Sequence, residues 1–149
     1  MKINWQTLSF ENLKTTELFE LLMLRQAVFV VEQQCPYPDI DELDLVAMHL
    51  CGRNADGELI AYARLLKPGL SYQQASIGRV VVSPTARGLK LGQALMQAAL
   101  LEMEKLYPDQ AIKIGAQQHL EKFYNELGFK TISAMYLEDD IPHIHMLRS

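Results

Sequence analysis

Apolar residues recur at helical spacing along three stretches of the chain. Residues 17–31 carry the first such stripe, and residues 89–107 carry a longer one that Pro108 ends. A shorter stripe over residues 119–127 is followed by Gly128, a residue type common just past the end of a helix. The pattern therefore predicts three amphipathic helices of very different length.

Between these helices, apolar and β-branched residues form short runs that are typical of strands. Asp56 and Gly57 separate two of these runs, and this dipeptide favours a hairpin turn. Strands come first as a hairpin and later alternate with helices, so we expect an α/β fold with a mixed sheet covered by helices on both faces. The predicted strands are residues 2–8, 47–53, 59–66, 76–82, 111–116, 129–137 and 143–147.

Composition narrows the class of protein. With 149 residues, 49% of them hydrophobic and 21% charged, the chain suits one globular domain spanning residues 1–149. A net charge of −4 argues against nucleic acid as a partner. We expect no membrane span, no signal peptide and a cytoplasmic location, with Cys35 and Cys51 as free thiols.

The segment from Ile77 to Met96 carries the strongest chemical signal. It combines a predicted buried strand, a basic turn with two glycines and the first turns of a helix. The first amides of a helix have no backbone partner and lie at the positive end of the helix dipole, so such a turn suits an anion such as a diphosphate. The residues predicted to form this anion site are Arg87, Gly88, Leu89, Lys90, Leu91, Gly92 and Gln93.

This turn and the later Phe123-Tyr124-x-x-x-Gly128-Phe129 segment resemble the GNAT N-acetyltransferases, in the same order along nearly the whole chain. Residues 25–37 and 138–144 further resemble the ElaA branch of that family. The resemblance implies the GNAT fold, a mostly antiparallel twisted sheet of six to seven strands. It also implies transfer of an acetyl or longer acyl group from coenzyme A to a primary amine by direct attack in a ternary complex. Homodimers are frequent in the family.

The resemblance also assigns roles to residues. Val80, Val81 and Val82 would offer main-chain groups to the pantetheine arm, Tyr124 would donate a proton to the leaving thiolate, and Asn125 would contact the cofactor. Lys90 departs from the family pattern, since a glycine is common at its position. Its side chain either hinders the approach of the diphosphate or adds a charged contact, and the first alternative leaves room for a non-catalytic, CoA-binding regulatory module.

The proton acceptor and the amine site are less defined by the sequence. An amine with a pKa near ~10 must lose a proton before it attacks, and Glu32 and His143 are candidate acceptors, with Asp41, Glu42, Asp44 and His49 as further ones. The acidic loop over residues 39–44 would attract a cationic amine. We therefore expect Arg25, Asp41, Asp44 and His49 to contact the acceptor, although Arg25 lies on an apolar stripe and is equally suited to pairing with a buried carboxylate.

Two further chemistries are weaker interpretations of the sequence. Cys35 is a possible acyl-carrying nucleophile, but no neighbour in the sequence activates it. His143 and His145 share a strand face, yet they lack a third ligand at suitable spacing, so we expect no metal.

Overall fold

The computed structural model describes residues 2–149 and contains eight strands in two four-stranded sheets. In the first sheet the strands are antiparallel and follow the order of the chain: β1 (Asn4–Ser9), β2 (Met48–Arg53), β3 (Leu59–Leu66) and β4 (Ser76–Val82). In the second sheet the last strand pairs antiparallel with the other three: β5 (Ile112–Gln117), β6 (Lys130–Thr131), β7 (Tyr136–Glu138) and β8 (Ile141–Arg148).

Four α-helices and several short helical turns connect the strands. None of the helices in residues 2–149 has the length and apolar character needed to cross a membrane. The α-helices are α1 (Thr15–Arg25), α2 (Leu43–Val46), α3 (Leu91–Leu106) and α4 (Glu121–Asn125). A π-helix over Gln26–Glu32 continues α1, and 3₁₀ turns lie at Phe10–Asn12, Pro84–Ala86 and Gln118–Leu120.

Side chains on both faces of β3 are buried, which shows that both faces of the first sheet are covered. One cluster of buried side chains packs α3, through residues such as Leu95 and Met96, against β3 and against the second sheet. A second cluster packs Leu21 of α1 and Val28 against Tyr62 of the opposite face of β3. The predicted α/β fold, with helices on both faces and a mostly antiparallel arrangement, is confirmed.

The strands differ from the single sheet of six to seven strands that we expected. Among the described residues, one parallel bridge from Ala75 to Ile112 joins the two sheets, after which β4 and β5 separate. Arg79 lies in the left-handed region with φ of 48°, where the register between β3 and β4 shifts. Such a bulge bends a strand and increases its twist, which accounts for the divergence of β4 from its neighbour.

Two predicted elements are interrupted. The first helix is α-helical only to Arg25, and the seven residues after it form π-type bonds. The strand predicted over residues 129–137 is split into β6 and β7, since the Ser133 hydroxyl accepts the His145 N–H (2.9 Å) at a point where a strand would supply a carbonyl.

Candidate active site

A cavity of about 570 Å³ fills the space between the diverging strands β4 and β5. Residues 33–37 and the turn between β7 and β8 close over it. Cys35 donates its S–H to the Asp139 carbonyl (3.7 Å), and the Tyr37 hydroxyl donates to an Asp140 carboxylate oxygen (2.6 Å). The cavity is therefore a roofed cleft, and a volume of this size is typical of small-molecule sites.

One wall of the cavity is the free edge of β4. On its other side β4 pairs with β3, but beyond the Ala75–Ile112 bridge its second edge has no strand partner among the described residues. Residues 77–82 line the cavity along this edge. Backbone amides and carbonyls left unpaired in this way bind an extended ligand as an added strand. The arrangement fits the amide-bearing pantetheine arm expected at Val80, Val81 and Val82.

The N-terminus of α3 lies at the end of this edge. The first backbone hydrogen bond of the helix runs from the Ala94 N–H to the Lys90 carbonyl (3.2 Å), and no side chain of residues 2–149 caps this end. Gly88, Leu89, Lys90 and Gln93 are exposed, whereas Leu91 is buried and offers only its backbone. A helix end with uncapped amides, facing solvent beside the cavity, fits an anionic group such as a diphosphate.

The backbone at Lys90 explains the family's glycine. Lys90 has φ of 57°, in the left-handed region that glycine adopts without strain. A lysine therefore keeps the same turn at some conformational cost and places a charged side chain at the helix N-terminus. Gly92 lies inside the helix with φ in the ordinary range, and a Cβ there would meet only the Phe123 ring at 3.7 Å, so the fold itself does not need a glycine at this position.

Arg87 forms an ion pair with Glu32, another candidate residue of the same site. Its two terminal nitrogens donate to the two carboxylate oxygens of Glu32 (both 2.7 Å), which joins the end of the π-helix to the turn before α3. The hydrogen bonds from Arg87 lower the pKa of Glu32 below its ordinary value. Glu32 is consequently a weaker proton acceptor than a free glutamate.

Tyr124 lines the cavity from α4, opposite the β4 edge, and is 7% exposed. Its ring packs edge-on against Phe123 and Phe129. Burial raises the pKa of Tyr124 to about 12, and none of the described residues forms a hydrogen bond with its hydroxyl. The group is thus a protonated phenol at neutral pH whose hydroxyl remains available to a ligand.

His143 lies on the cavity wall at the start of β8 and is also 7% exposed. Its Nδ1–H donates to the Ile141 carbonyl (2.7 Å), since a carbonyl oxygen only accepts. Nε2 then carries the lone pair and lies 3.6 Å from a Glu138 carboxylate oxygen. The carbonyl fixes the tautomer, and the carboxylate would stabilise the imidazolium formed when Nε2 takes a proton.

Arg25 is fully buried and forms part of an ion-pair network behind the cavity. It donates to Asp44 from Nη1 (2.7 Å) and Nη2 (3.1 Å) and to Asp39 from Nε (2.8 Å). Burial, the largest single effect, would lower the pKa of Arg25, but the hydrogen bond to Asp44 and the charges of Asp39 and Asp44 act together to raise the pKa above its ordinary value. The structure thus favours the interpretation of Arg25 as the partner of buried carboxylates.

Two arginines outside the predicted site residues, Arg64 and Arg79, complete this network. Arg64 of β3 donates to Asp41 (2.6 Å) and to Asp44 (3.0 Å). Arg79, at the bulge of β4, forms an ion pair with the Asp39 carboxylate (2.8 Å) and donates from Nη2 to the Asp39 carbonyl (2.9 Å). The acidic loop is therefore held by arginines from three elements, and much of its negative charge is neutralised inside the protein.

His49 is buried beside this network without a carboxylate partner of its own. Its Nε2–H donates to the Asp44 carbonyl (2.9 Å), and its Nδ1 accepts from the Tyr62 hydroxyl (2.6 Å). Burial lowers the pKa of His49 below its ordinary value, so the ring is neutral in the folded protein. His49, like Asp44 and Arg25, lies outside the set of residues that line the cavity.

Acid should therefore destabilise the fold through His49. Because the folded-state pKa is depressed, the stabilising contribution is present above the unfolded-state pKa of about 6.5 and is lost as the pH falls below it. We expect urea unfolding to show a free energy that declines from pH 7.5 to pH 5, with a smaller decline in His49→Gln. The exposed His119→Gln is the control, and an equal reduction in both variants would contradict this role.

The structure brings together part of the predicted site. The cavity is lined by Glu32, Val80, Val81, Val82, Arg87, Gly92, Tyr124 and His143. Six other predicted residues do not line the cavity: Gly88, Leu89, Lys90, Leu91, Gln93 and Asn125. The first five belong to the turn before α3 and to its first residues, at the end of the cavity.

Within residues 2–149 there is no group of three or more His, Cys, Asp or Glu side chains that could hold a metal ion.

The splayed sheets, the free strand edge and the uncapped helix define the acetyltransferase architecture that the sequence resembled. The chain belongs to the GNAT acetyltransferases, since the family model of the acetyltransferase (GNAT) domain matches residues 25–149. Its relatives include the protein ElaA of Escherichia coli K12, 47% identical over 98% of this chain and 96% of that protein.

Solved structures agree with this assignment. A Pseudomonas aeruginosa acyl-CoA N-acyltransferase superposes with a TM-score of 0.94 at 46% identity, covering 99% of this chain and all of that one. Escherichia coli ElaA superposes with a TM-score of 0.91, also at 46% identity and with the same coverage. The predicted resemblance to the ElaA branch is confirmed, and family membership supports acyl transfer from coenzyme A.

Proposed function

We propose that this protein is an N-acetyltransferase that moves an acetyl group from acetyl-CoA to a primary amine by direct attack in a ternary complex. The observation that carries the proposal is the roofed cavity, where the free edge of β4 faces a protonated Tyr124 and a His143 with a free lone pair. A strand edge for the donor and two groups for proton movement are what acyl transfer to an amine requires.

The residues that would hold acetyl-CoA follow from the site. The β4 edge binds the pantetheine arm, and the first amides of α3, with Arg87 and Lys90, bind the diphosphate. When bound, acetyl-CoA supplies the activated thioester. A backbone amide among Val80, Val81 and Val82 polarises the thioester carbonyl by donating a hydrogen bond to its oxygen.

Proton movement falls to two side chains on the cavity walls. His143 accepts at Nε2 the proton that the ammonium group must lose before its nitrogen attacks the carbonyl carbon, and Glu138 stabilises the resulting imidazolium. As the bond from carbon to sulfur breaks, the Tyr124 hydroxyl donates to the departing sulfur. We favour His143 over Glu32 as the base because the Glu32 carboxylate is committed to Arg87.

Two measurements test this proposal. Acetyl-CoA should raise the melting temperature of the protein, and a panel of polyamines, amino sugars, amino acids and peptide amines should release free CoA thiol with at least one member. Thermal stabilisation without thiol release from any amine would instead support a CoA-binding regulatory module of the same fold. Absence of both responses would overturn the binding site as well as the reaction.

Gly92→Ala should increase the stability of the free protein and weaken its affinity for acetyl-CoA. Alanine is favoured over glycine by up to about 1 kcal/mol in a helix, and Gly92, in the first turn of α3, has space for a Cβ, so the free protein should become more stable. Acetyl-CoA should bind more weakly because the methyl group lies beside the diphosphate site. Urea unfolding and calorimetry measure the two effects, and Gln97→Ala, on an exposed position of the same helix, is the control. Unchanged affinity would remove Gly92 from the site.

Glu32→Gln should tighten the binding of CoA. In the structure the Glu32 carboxylate occupies both terminal nitrogens of Arg87, which the diphosphate would otherwise bind. Because an exposed ion pair is weak, we expect the dissociation constant to fall by roughly two- to fivefold. S-acetylpantetheine, which lacks the diphosphate, is the matched ligand and should show no change. Weaker binding of CoA in the variant would contradict this competition.

A further inference from the structure

A second, more apolar groove lies on the outer side of α1 and the π-helix, with a volume of about 560 Å³. Four large apolar side chains in it are exposed to between 49% and 65% of their surface: Phe19, Met23, Val31 and Ile40. Exposed apolar side chains that cluster in a groove are a frequent feature of sites that bind another molecule. Nothing in the reaction proposed above uses this groove.

The groove meets the candidate active-site cavity. Val30, Tyr37, Pro38 and Asp39 line both spaces. Tyr37 stands at the junction, where its ring contributes to both linings and its hydroxyl donates to Asp140. A ligand that reaches past Tyr37 would therefore lie in both spaces at once.

The two sides of this junction differ in charge. On the cavity side, Glu138 and Asp139 line the wall, and Asp140 accepts the Tyr37 hydroxyl. On the groove side, the polar members are Gln26 and Asp39, and both Asp39 carboxylate oxygens are already bonded to Arg25 and Arg79. Acidic groups thus adjoin an apolar surface that offers no free charge.

We infer that the acceptor is an amphipathic amine whose ammonium group lies on the acidic side of Tyr37 and whose apolar body lies in the groove of α1. The inference rests on the proposed function, because it places the reacting nitrogen in the cavity of Tyr124 and His143. Carboxylates at the junction attract an ammonium group. If the groove instead held a long acyl chain of the donor, these carboxylates would have no cationic partner. The groove therefore belongs to the acceptor.

A matched series of acceptors tests the inference. With acetyl-CoA as donor, we expect kcat/KM for thiol release to rise from ethylamine through butylamine to octylamine, by about two- to fourfold per added methylene until the groove is filled. Phe19→Ser should lower the ratio of kcat/KM between octylamine and ethylamine about tenfold. Leu101→Ser is the control, because Leu101 on α3 is equally exposed (65%) and lies outside both spaces.

Three outcomes would overturn the inference while the proposed function stands. The first is thiol release that does not depend on the length of the amine. The second is a dependence on chain length among acetyl-, butyryl- and octanoyl-CoA instead, which would assign the groove to the donor. The third is a dimer by light scattering that Phe19→Ser converts to a monomer with no change in the amine ratio, which would assign the groove to a second copy of the chain.

A binding measurement keeps the inference testable without turnover. Dansylcadaverine joins a primary amine to an apolar naphthalene ring, and its fluorescence rises when the ring enters an apolar site. We expect saturable binding that Phe19→Ser weakens and Leu101→Ser does not. If no amine releases thiol, the proposed function fails. Saturable binding with this variant pattern would still support the groove, and absence of binding would overturn it.

Discussion

Tyr124→Phe is expected to lower kcat about 100-fold with the best amine of the panel, a size typical of removing a general acid. The loss follows from the position of the hydroxyl, which lines the cavity and has no hydrogen-bond partner among the described residues. The ring remains packed against Phe123 and Phe129, so the free energy of unfolding should change little. Steady-state release of CoA thiol measures the effect.

The dissociation constant for acetyl-CoA separates this role from a structural one. It should stay close to the wild-type value in Tyr124→Phe, since the backbone of β4 and α3 provides the donor site. Tyr107→Phe, at the C-terminal end of α3, is a matched control that should leave kcat unchanged. Equal turnover of Tyr124→Phe and the wild type would remove Tyr124 from the mechanism.

Arg25→Met is expected to reduce the free energy of unfolding by about 3–5 kcal/mol, because it removes the buried cation that Asp39 and Asp44 share and leaves each carboxylate with one arginine partner instead of two. Asp44 is the most affected partner. Burial, the largest single effect, would raise the pKa of Asp44, but the hydrogen bonds and charge of Arg25, together with hydrogen bonds from the Asp41 amide and Arg64, hold it below its ordinary value. With Arg64 as its one remaining cation, Asp44 either stays charged in a poorly solvated position or takes up a proton, and both cost stability.

Arg53→Met is the matched control for this prediction. Arg53 pairs with Glu20 at 3.1 Å on a more exposed part of the surface, so its replacement should cost less than about 1 kcal/mol. Urea unfolding at pH 7 compares the two variants. A loss for Arg25→Met as small as that for Arg53→Met would show that the buried network contributes little to stability.

The regular elements were predictable because local patterns determine them. The hairpin at Asp56-Gly57 forms, with Gly57 at φ of 82°, and α3 runs as an amphipathic helix within two residues of the expected bounds. The bulge at Arg79 could not be predicted from periodicity, since a non-glycine residue with positive φ leaves no signal in the sequence. The division into two sheets follows from that bulge and was therefore missed.

The candidate site was predictable to a similar extent. The turn before α3 and Tyr124 of α4 lie in short motifs that resemble the family, and Arg87, Gly92 and Tyr124 from these motifs line the cavity. The arginine network joins residues 14 to 40 positions apart, which no local pattern reveals. One signal did exist, because Arg25 on an apolar helical stripe and Arg64 within an apolar strand both indicate buried partners.

The free edge of β4 also bears on the solubility of the protein in its ligand-free state. An unpaired strand edge is ordinarily a template on which other chains add and aggregate. Here the edge lines the cavity together with Cys35, Tyr37 and Asp139, and two hydrogen bonds hold residues 33–37 against the turn of Asp139 and Asp140, so an added strand would have to displace this cover. Variants that remove part of this cover, such as Tyr37→Ala, would therefore increase self-association of the protein as well as weaken ligand binding.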